Sequence, residues 1–179
     1  SAEAPVEVIL EKTRSSLMQM DSLARFEALF EAYWPRIVGV LFRMLGDAAE
    51  AEDLALEVFT RLHDRPRLLA AGEDHNLGGW LYRVATNLGY NALRAARRRR
   101  QYEIAAGALA LERTSAPDPA REAERALERA QVRAVLAEMK PAAARLLVLR
   151  HSGLAYAEVA EALEVAPGSV GALLARAER

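Results

Sequence analysis

The chain of 179 residues is long enough for one domain or two small ones, and its 52% hydrophobic and 27% charged residues are typical of a folded protein. Its 37 alanines and 22 arginines, with only 10 glycines and 7 prolines, favour helices. The absence of cysteine excludes disulfides, thiolate metal sites and cysteine nucleophiles. Because no apolar run could span a membrane and no signal peptide is apparent, we expect a cytoplasmic protein without membrane insertion.

Charge is unevenly distributed along the chain, although the net charge is only −1. Residues 21–57 carry eight acidic side chains and three arginines, whereas residues 61–103 carry four acidic side chains and nine arginines. Such segregation favours one surface for a basic partner and another for an acidic partner. Two ordinary solvated faces are the alternative interpretation.

In the first half of the chain, apolar residues recur at helical spacing after an N-terminal extension of residues 1–20. Asp21 is expected to cap a first helix, which Pro35 kinks or restarts. A second helix buries the face that begins at Ala51, and a polar loop follows Pro66. Trp80 is expected to open a third, long helix that ends in four consecutive arginines.

The second half changes composition at residues 105–119, where glycine, serine, threonine and proline predict a flexible linker. Beyond it, the pattern predicts several shorter helices, the last two joined by a turn as in a helix-turn-helix. We therefore predict an all-α fold of two small helical domains, residues 21–104 and residues 120–179.

An enzymatic function is not expected, because the sequence contains no phosphate-binding glycine loop, zinc-protease motif or nucleophile elbow. The three histidines lie too far apart to suggest a metal site, and no cofactor is implied. Asp53 and Glu57, at i and i+4, form the most prominent acidic pair. Carboxylates exposed on a helix favour a solvated or protein-binding face rather than a catalytic dyad.

The third helix carries a polar stripe that contains no acidic residue. Arginine neutralises phosphates and asparagine pairs with base edges, while Tyr82 and Tyr90 beside the stripe could stack on unpaired bases. A helix end normally needs one or two cations, so five arginines in residues 94–100 favour nucleic acid as the partner. The stripe consists of Arg83, Asn87, Asn91, Arg94 and Arg98.

Three segments together resemble bacterial sigma factors of the sigma-70 family, and their order and spacing resemble the extracytoplasmic-function (ECF) group. Residues 51–59 (AEDLALEVF) are similar to the family's core-polymerase-binding helix. Residues 80–88 (WLYRVATNL), with the arginines that follow, are similar to the helix that melts the promoter and recognises its −10 element. Residues 147–160 and the final helix resemble the helix-turn-helix that binds the −35 element.

The resemblance implies an alternative sigma factor that binds core RNA polymerase and promoter DNA, with an anti-sigma factor as a further partner. It assigns polymerase binding to Asp53, Leu56, Glu57 and Phe59. It assigns weak −35 binding to Gly168, Ser169 and Arg176. It assigns −10 binding to Tyr82, Arg83, Asn87, Asn91, Arg94, Arg97, Arg98, Arg99 and Arg100.

The sequence departs from the family pattern at three places. Leu56 stands where a glutamine is common, Glu164 stands where the turn usually has glycine, and the final helix offers no cation before Arg176. Two other functions therefore stay open. One is a helix-turn-helix regulator that acts without polymerase, and the other is a sigma-like module whose second domain serves as a protein dock.

Overall fold

The computed structural model describes residues 3–70, 76–106 and 119–178, so most of the predicted linker lies outside the described residues. Two groups of helices make up this part of the chain, and it contains no strand, so the all-α prediction is confirmed. The N-terminal bundle consists of α1 (Glu3–Leu45), α2 (Ala48–His63), α3 (Pro66–Ala70) and α4 (Leu77–Ala105). The C-terminal bundle consists of α5 (Pro119–Glu138), α6 (Pro141–His151), α7 (Tyr156–Leu163), a 3-10 turn (Pro167–Ser169) and α8 (Val170–Ala177).

The predicted helix start at Asp21 is wrong, because α1 passes through this position without interruption. No glycine or proline lies between residues 6 and 34, so nothing in this stretch breaks the helix. Pro35 lies inside α1, and the helix continues to Leu45. All side chains of residues 10–21 are exposed, so this part of α1 extends beyond the packed core.

The beginning of α4 also differs from the prediction. The helix starts at Leu77, three residues before Trp80, because the side chain of Asn76 accepts a hydrogen bond of 2.7 Å from the backbone N–H of Gly79. The short helix α3 was missed, although Pro66 at its first position has the fixed φ that favours a helix start. Residues 71–75 of the predicted loop lie outside the described residues.

The core of the N-terminal bundle is built around Phe59, which is 1% exposed. Phe30 meets its ring edge to face at 4.8 Å between centroids, while Phe26 and Trp34 lie at 6.3 Å and 5.9 Å. Three aromatic rings of α1 thus pack around Phe59 of α2 and bury it. Because its ring is enclosed, Phe59 stabilises α2 and offers no surface to a partner in this conformation.

The two bundles are packed against each other. Helix α4 contacts α5, α6 and α7, and α1 contacts α5 and α6. The buried apolar residues of both bundles form one continuous cluster, so Leu93 of α4 belongs to the same core as Leu136 of α5.

Replacing Phe59 by alanine is expected to lower the free energy of unfolding by about 3–5 kcal/mol, because it removes the centre of the aromatic cluster and leaves a cavity. Urea denaturation followed by circular dichroism measures this change. Leu56→Ala on the same helix is the matched control, since Leu56 is 55% exposed and its truncation should cost no more than about 0.5 kcal/mol. Equal losses in the two variants would contradict the buried position of Phe59.

Candidate nucleic-acid interface

Helix α2 presents an acidic surface on the side away from its buried residues. Asp47 caps the helix by accepting a 2.8 Å hydrogen bond from the backbone N–H of Glu50, and Asp53 and Leu56 are exposed. Glu57 is half-exposed and accepts a 2.5 Å charge-assisted hydrogen bond from Arg61, one turn later. A partner cation at Glu57 would therefore compete with Arg61, whereas Asp53 forms no ion pair with another described residue.

Five of the predicted −10 contacts are exposed along α4. They are Asn91, Arg94, Arg98, Arg99 and Arg100. Their spacing places several guanidinium groups along one helix, where they can neutralise consecutive phosphates. This part of the stripe is open to a nucleic-acid strand in the described conformation.

The first two residues of the stripe contact the C-terminal bundle instead. Arg83 forms an ion pair with Glu164, and the side-chain oxygen of Asn87 accepts a 2.5 Å hydrogen bond from Arg145. Arg97 forms an ion pair of 2.7 Å with Glu138. Three residues predicted to bind DNA thus have protein partners in this structure.

Neither of the two tyrosines is available to a base in this arrangement. Tyr82 is 2% exposed and packs edge to face on Tyr33, and its hydroxyl has no hydrogen-bond partner among the described residues. Burial raises the pKa of the Tyr82 phenol, although the nearby charge of Arg36 opposes this rise. Tyr90 is also buried, and its hydroxyl donates a 2.6 Å hydrogen bond to the carbonyl of Met139.

The predicted helix-turn-helix corresponds to α7, the turn at Glu164 and the segment from Pro167 to Ala177. Glu164 adopts a left-handed backbone conformation with φ of 57°, a conformation that favours glycine. Gly168, Ser169 and Arg176 are exposed on the segment after the turn. Arg176 is the cation of α8, so this helix brings little positive charge to DNA.

A second open surface is an apolar groove on the C-terminal bundle, with a volume of about 490 Å³. Val132 and Val135 on α5 are more than half exposed, and Leu147 of α6 lines the same groove. An exposed apolar surface of this kind is typical of a protein-binding site.

Within the part of the chain that the structure describes, no group of three or more histidine, aspartate or glutamate side chains could hold a metal ion. None of the described helices is both long and apolar enough to cross a membrane.

Known families match both bundles. Residues 29–99 match the model of Sigma-70 region 2, and residues 129–179 match that of Sigma-70, region 4. The chain is 30% identical over 166 residues to the RNA polymerase sigma-H factor of Pseudomonas aeruginosa, covering 85% of this chain and 81% of that protein. It is 32% identical over 89 residues to the ECF RNA polymerase sigma factor SigW of Bacillus subtilis, covering 50% of this chain and 46% of that protein.

The chain belongs to the ECF group of the sigma-70 family. The two matched regions correspond to the N-terminal and C-terminal bundles, respectively. The match to SigW spans about half the length of each protein.

Sequence reasoning missed the residues that join α4 to the C-terminal bundle, above all Arg145, Glu138 and Glu164. One signal was available, because residues 151–179 carry four acidic side chains and two arginines, an unusual balance for a segment expected to bind DNA. That balance indicates a basic partner, and in the structure Arg83 and Arg36 of the N-terminal bundle are such partners.

Tyr82→Phe is expected to leave the free energy of unfolding within about 0.5 kcal/mol of the parent, because the deleted hydroxyl is buried without a partner. Urea denaturation and titration with single-stranded DNA measure stability and binding on the same variant. Tyr82→Ala is the comparison, since it removes a buried ring and should be strongly destabilising. Weaker DNA binding by a fully stable Tyr82→Phe variant would instead place this hydroxyl on DNA.

Proposed function

We propose that this protein acts as an alternative sigma factor that binds core RNA polymerase, recognises promoter DNA and initiates transcription. The observation that carries the proposal is the combination of an exposed acidic helix, α2, with an arginine and asparagine stripe on α4, in a chain that matches regions 2 and 4 of one family. The N-terminal unit, residues 21–104, would bind polymerase and the −10 element. The C-terminal unit, residues 120–179, would lie near the −35 element.

Core polymerase would contact α2 through Asp53, Leu56 and Glu57. Two carboxylates one turn apart, with an exposed leucine between them, offer charge complementarity around an apolar centre. Phe59 contributes from inside, because it fixes α2 against α1. The arginines of α4 lie in a different segment of the sequence from this acidic surface.

Asp53→Arg combined with Glu57→Arg is expected to lower affinity for bacterial core RNA polymerase by at least about 100-fold, since two attractive charges become repulsive. Biolayer interferometry measures the affinity, and circular dichroism establishes that the variant remains helical. The matched control is Glu27→Arg with Glu31→Arg, an exposed i, i+4 pair on α1 that undergoes the same charge change. Unchanged polymerase affinity in the α2 variant would refute this assignment.

On promoter DNA, α4 would contact both bases and phosphates through different side chains. Asn87 and Asn91 have the amide groups that pair with base edges, and Arg83 can form bidentate hydrogen bonds to a base or a phosphate. Tyr82 would support α4 from the core. The remaining arginines would neutralise the backbone, and they are Arg94, Arg97, Arg98, Arg99 and Arg100.

Replacing Arg98, Arg99 and Arg100 by alanine is expected to weaken binding to all single-stranded sequences alike. Each lost phosphate contact should reduce the slope of log affinity against log salt by about 0.7. Fluorescence anisotropy with a random 20-nucleotide strand at several salt concentrations measures this slope. Lys12→Ala, Arg14→Ala and Arg67→Ala together remove the same charge from exposed positions outside α4 and should leave the slope unchanged.

Asn87→Ala is expected to change base preference at one position of the −10 element, because it removes a base-pairing amide but no charge. Selection of open complexes from a promoter library with a randomised −10 element measures this preference in the holoenzyme. If the triple arginine variant changed the base preference and Asn87→Ala did not, the arginines rather than Asn87 would recognise the bases.

The C-terminal bundle would contribute weakly to −35 binding through Gly168, Ser169 and Arg176. Backbone amides at the start of a helix and one arginine supply few phosphate contacts, so we expect promoter choice to depend mainly on the −10 element. An anti-sigma factor is the further partner implied by the family, and the apolar groove lined by Val132, Val135 and Leu147 offers it a surface. A polymerase-independent regulator is less well supported, because α8 lacks a basic face.

A further inference from the structure

The first part of α1 is exposed, although it carries several large apolar side chains. Residues 10–24, here called the arm, precede the aromatic residues of α1 that pack on the core. The arm also precedes residue 29, where the match to Sigma-70 region 2 begins. The leucine and methionine side chains of the arm are 54–67% exposed, and they are Leu10, Leu17, Met18, Met20 and Leu23. Packing within the single chain therefore does not account for them.

One face of the arm follows a heptad repeat, in which spacings of three and four residues alternate. This heptad face consists of Leu10, Thr13, Leu17, Met20 and Ala24, and all five are exposed. Leu17 and Phe26 are nine residues apart, or about two and a half turns, so the heptad face lies on the side of α1 away from the aromatic cluster. Such a repeat is typical of a helix that pairs along its length with another helix.

Two residues of opposite charge flank the heptad face on the same side. Arg14 follows Thr13 and Asp21 follows Met20, so they occupy the same heptad position seven residues apart. That separation is too large for a pair within one helix, where charged neighbours lie three or four residues apart. Both side chains are exposed, and neither forms an ion pair with another described residue.

A second copy of the arm, running antiparallel to the first, complements both charges at once. A two-fold axis between residues 17 and 18 places Arg14 of each copy opposite Asp21 of the other, so the attraction occurs twice. Leu17 of each copy then lies beside Met20 of the other. In a parallel pair, Arg14 and Asp21 would instead face heptad positions occupied by residues 9 and 16, which carry no charge. The charge pattern therefore favours the antiparallel arrangement.

The arm also needs an apolar partner for its stability. Most helical stability in proteins comes from packing an apolar face, and a helical segment of about 15 residues is marginal without it. All side chains of residues 10–21 are exposed, so the rest of the chain supplies no such packing there. A second arm supplies it to both copies equally.

We propose that two copies of this protein associate through antiparallel pairing of their arms, with Leu10, Leu17 and Met20 in the contact and Arg14 paired with Asp21 of the other copy. The heptad face is about 21 Å long, so the contact is small and the dimer forms reversibly at micromolar concentrations. This inference does not depend on the proposed binding of polymerase or DNA.

Sedimentation equilibrium of the full chain tests the proposal over about 5–200 μM protein, the range that a micromolar dimer requires. The parent mass is expected to rise from one chain towards two. Arg14→Glu places carboxylates opposite Asp21, and Asp21→Arg places guanidinium groups opposite Arg14. Each single variant should weaken dimerisation about tenfold or more, because two attractions become repulsions. The double variant exchanges the charges and should restore dimerisation to within about threefold of the parent.

The matched controls make the same charge changes on other faces of the arm. Lys12→Glu and Glu11→Arg lie outside the heptad face and its flanks, and both positions are exposed. They should leave the dimer unchanged, while Leu17→Asp should abolish it. Circular dichroism of every variant establishes that the helices are intact.

The direction of pairing is measured separately, because the chain has no cysteine and accepts one spin label per copy. Lys12→Cys and Gln19→Cys occupy the same heptad position, at the exposed surface of the arm. In an antiparallel dimer, labels at residue 12 are displaced along the helix axis by about 18 Å, whereas labels at residue 19 lie almost level. Double electron–electron resonance should therefore give the longer distance for residue 12.

A parent that remains a monomer over the whole concentration range would overturn the proposal, and the heptad face would then bind a different protein or none. A dimer that the charge exchange fails to restore would refute the pairing of Arg14 with Asp21. Equal distances for the two labels would show parallel arms and would overturn the antiparallel arrangement.

Discussion

The close packing of α4 on α1 is the constraint on which the rest of the structure depends. A methyl group at Gly89 would lie 2.8 Å from the sulfur of Met44, and one at Gly78 would lie 2.8 Å from Cζ of Tyr33. Each glycine costs a helix about 1 kcal/mol relative to alanine, so these positions gain their stability from packing rather than from helix propensity. Because this face must point towards α1, the rotation of α4 is fixed and its arginine stripe must point outwards.

The chain relieves the electrostatic repulsion within this outward stripe of arginines in two ways. Arg98, Arg99 and Arg100 are exposed, so water solvates their charges. Arg83 and Arg97 obtain carboxylates from the C-terminal bundle. A bound strand would supply phosphates instead, so the ion pairs within the protein and those with DNA are alternatives rather than additions.

The sequence predicted the elements more reliably than their ends or their mutual contacts. The apolar periodicity of α2 correctly predicted its buried face, because a helix that packs on one side repeats every 3.6 residues. In α4, however, Tyr82 and Tyr90 are buried, although the sequence placed them beside the exposed stripe. The start of α1 was misplaced, since Asp21 has the chemistry of a cap but lies in a stretch without a helix breaker. Asn76 was not recognised as a cap because the glycines after it suggested a loop, although those glycines serve close packing.

The candidate site was only partly predictable for a related physical reason. Motifs identify which residue types lie on one helix, so the acidic pair on α2 and the stripe on α4 could be inferred from local spacing. Burial depends on neighbours distant in sequence, and nothing near Phe59 or Tyr82 distinguishes an enclosed ring from an exposed one. The partners Glu138, Arg145 and Glu164 are between 41 and 81 residues away from the α4 side chains that they contact, so no local pattern could indicate them.

The weak basicity of the last helix and the carboxylates of the segment before it, Glu158, Glu161 and Glu164, have one common physical consequence. Cations at the positions of Glu158 and Glu164 would face Arg36 and Arg83, and this repulsion would oppose contact between the bundles. Glu158 and Glu164 instead make the contact attractive, while the same carboxylates would repel the phosphates of a nucleic acid. Glu158 also accepts a 2.8 Å hydrogen bond from the backbone N–H of Ala155 at the start of α7, so one carboxylate both caps a helix and faces Arg36. The scarcity of positive charge that would weaken DNA binding thus also allows this segment to pack against the arginines of the N-terminal bundle.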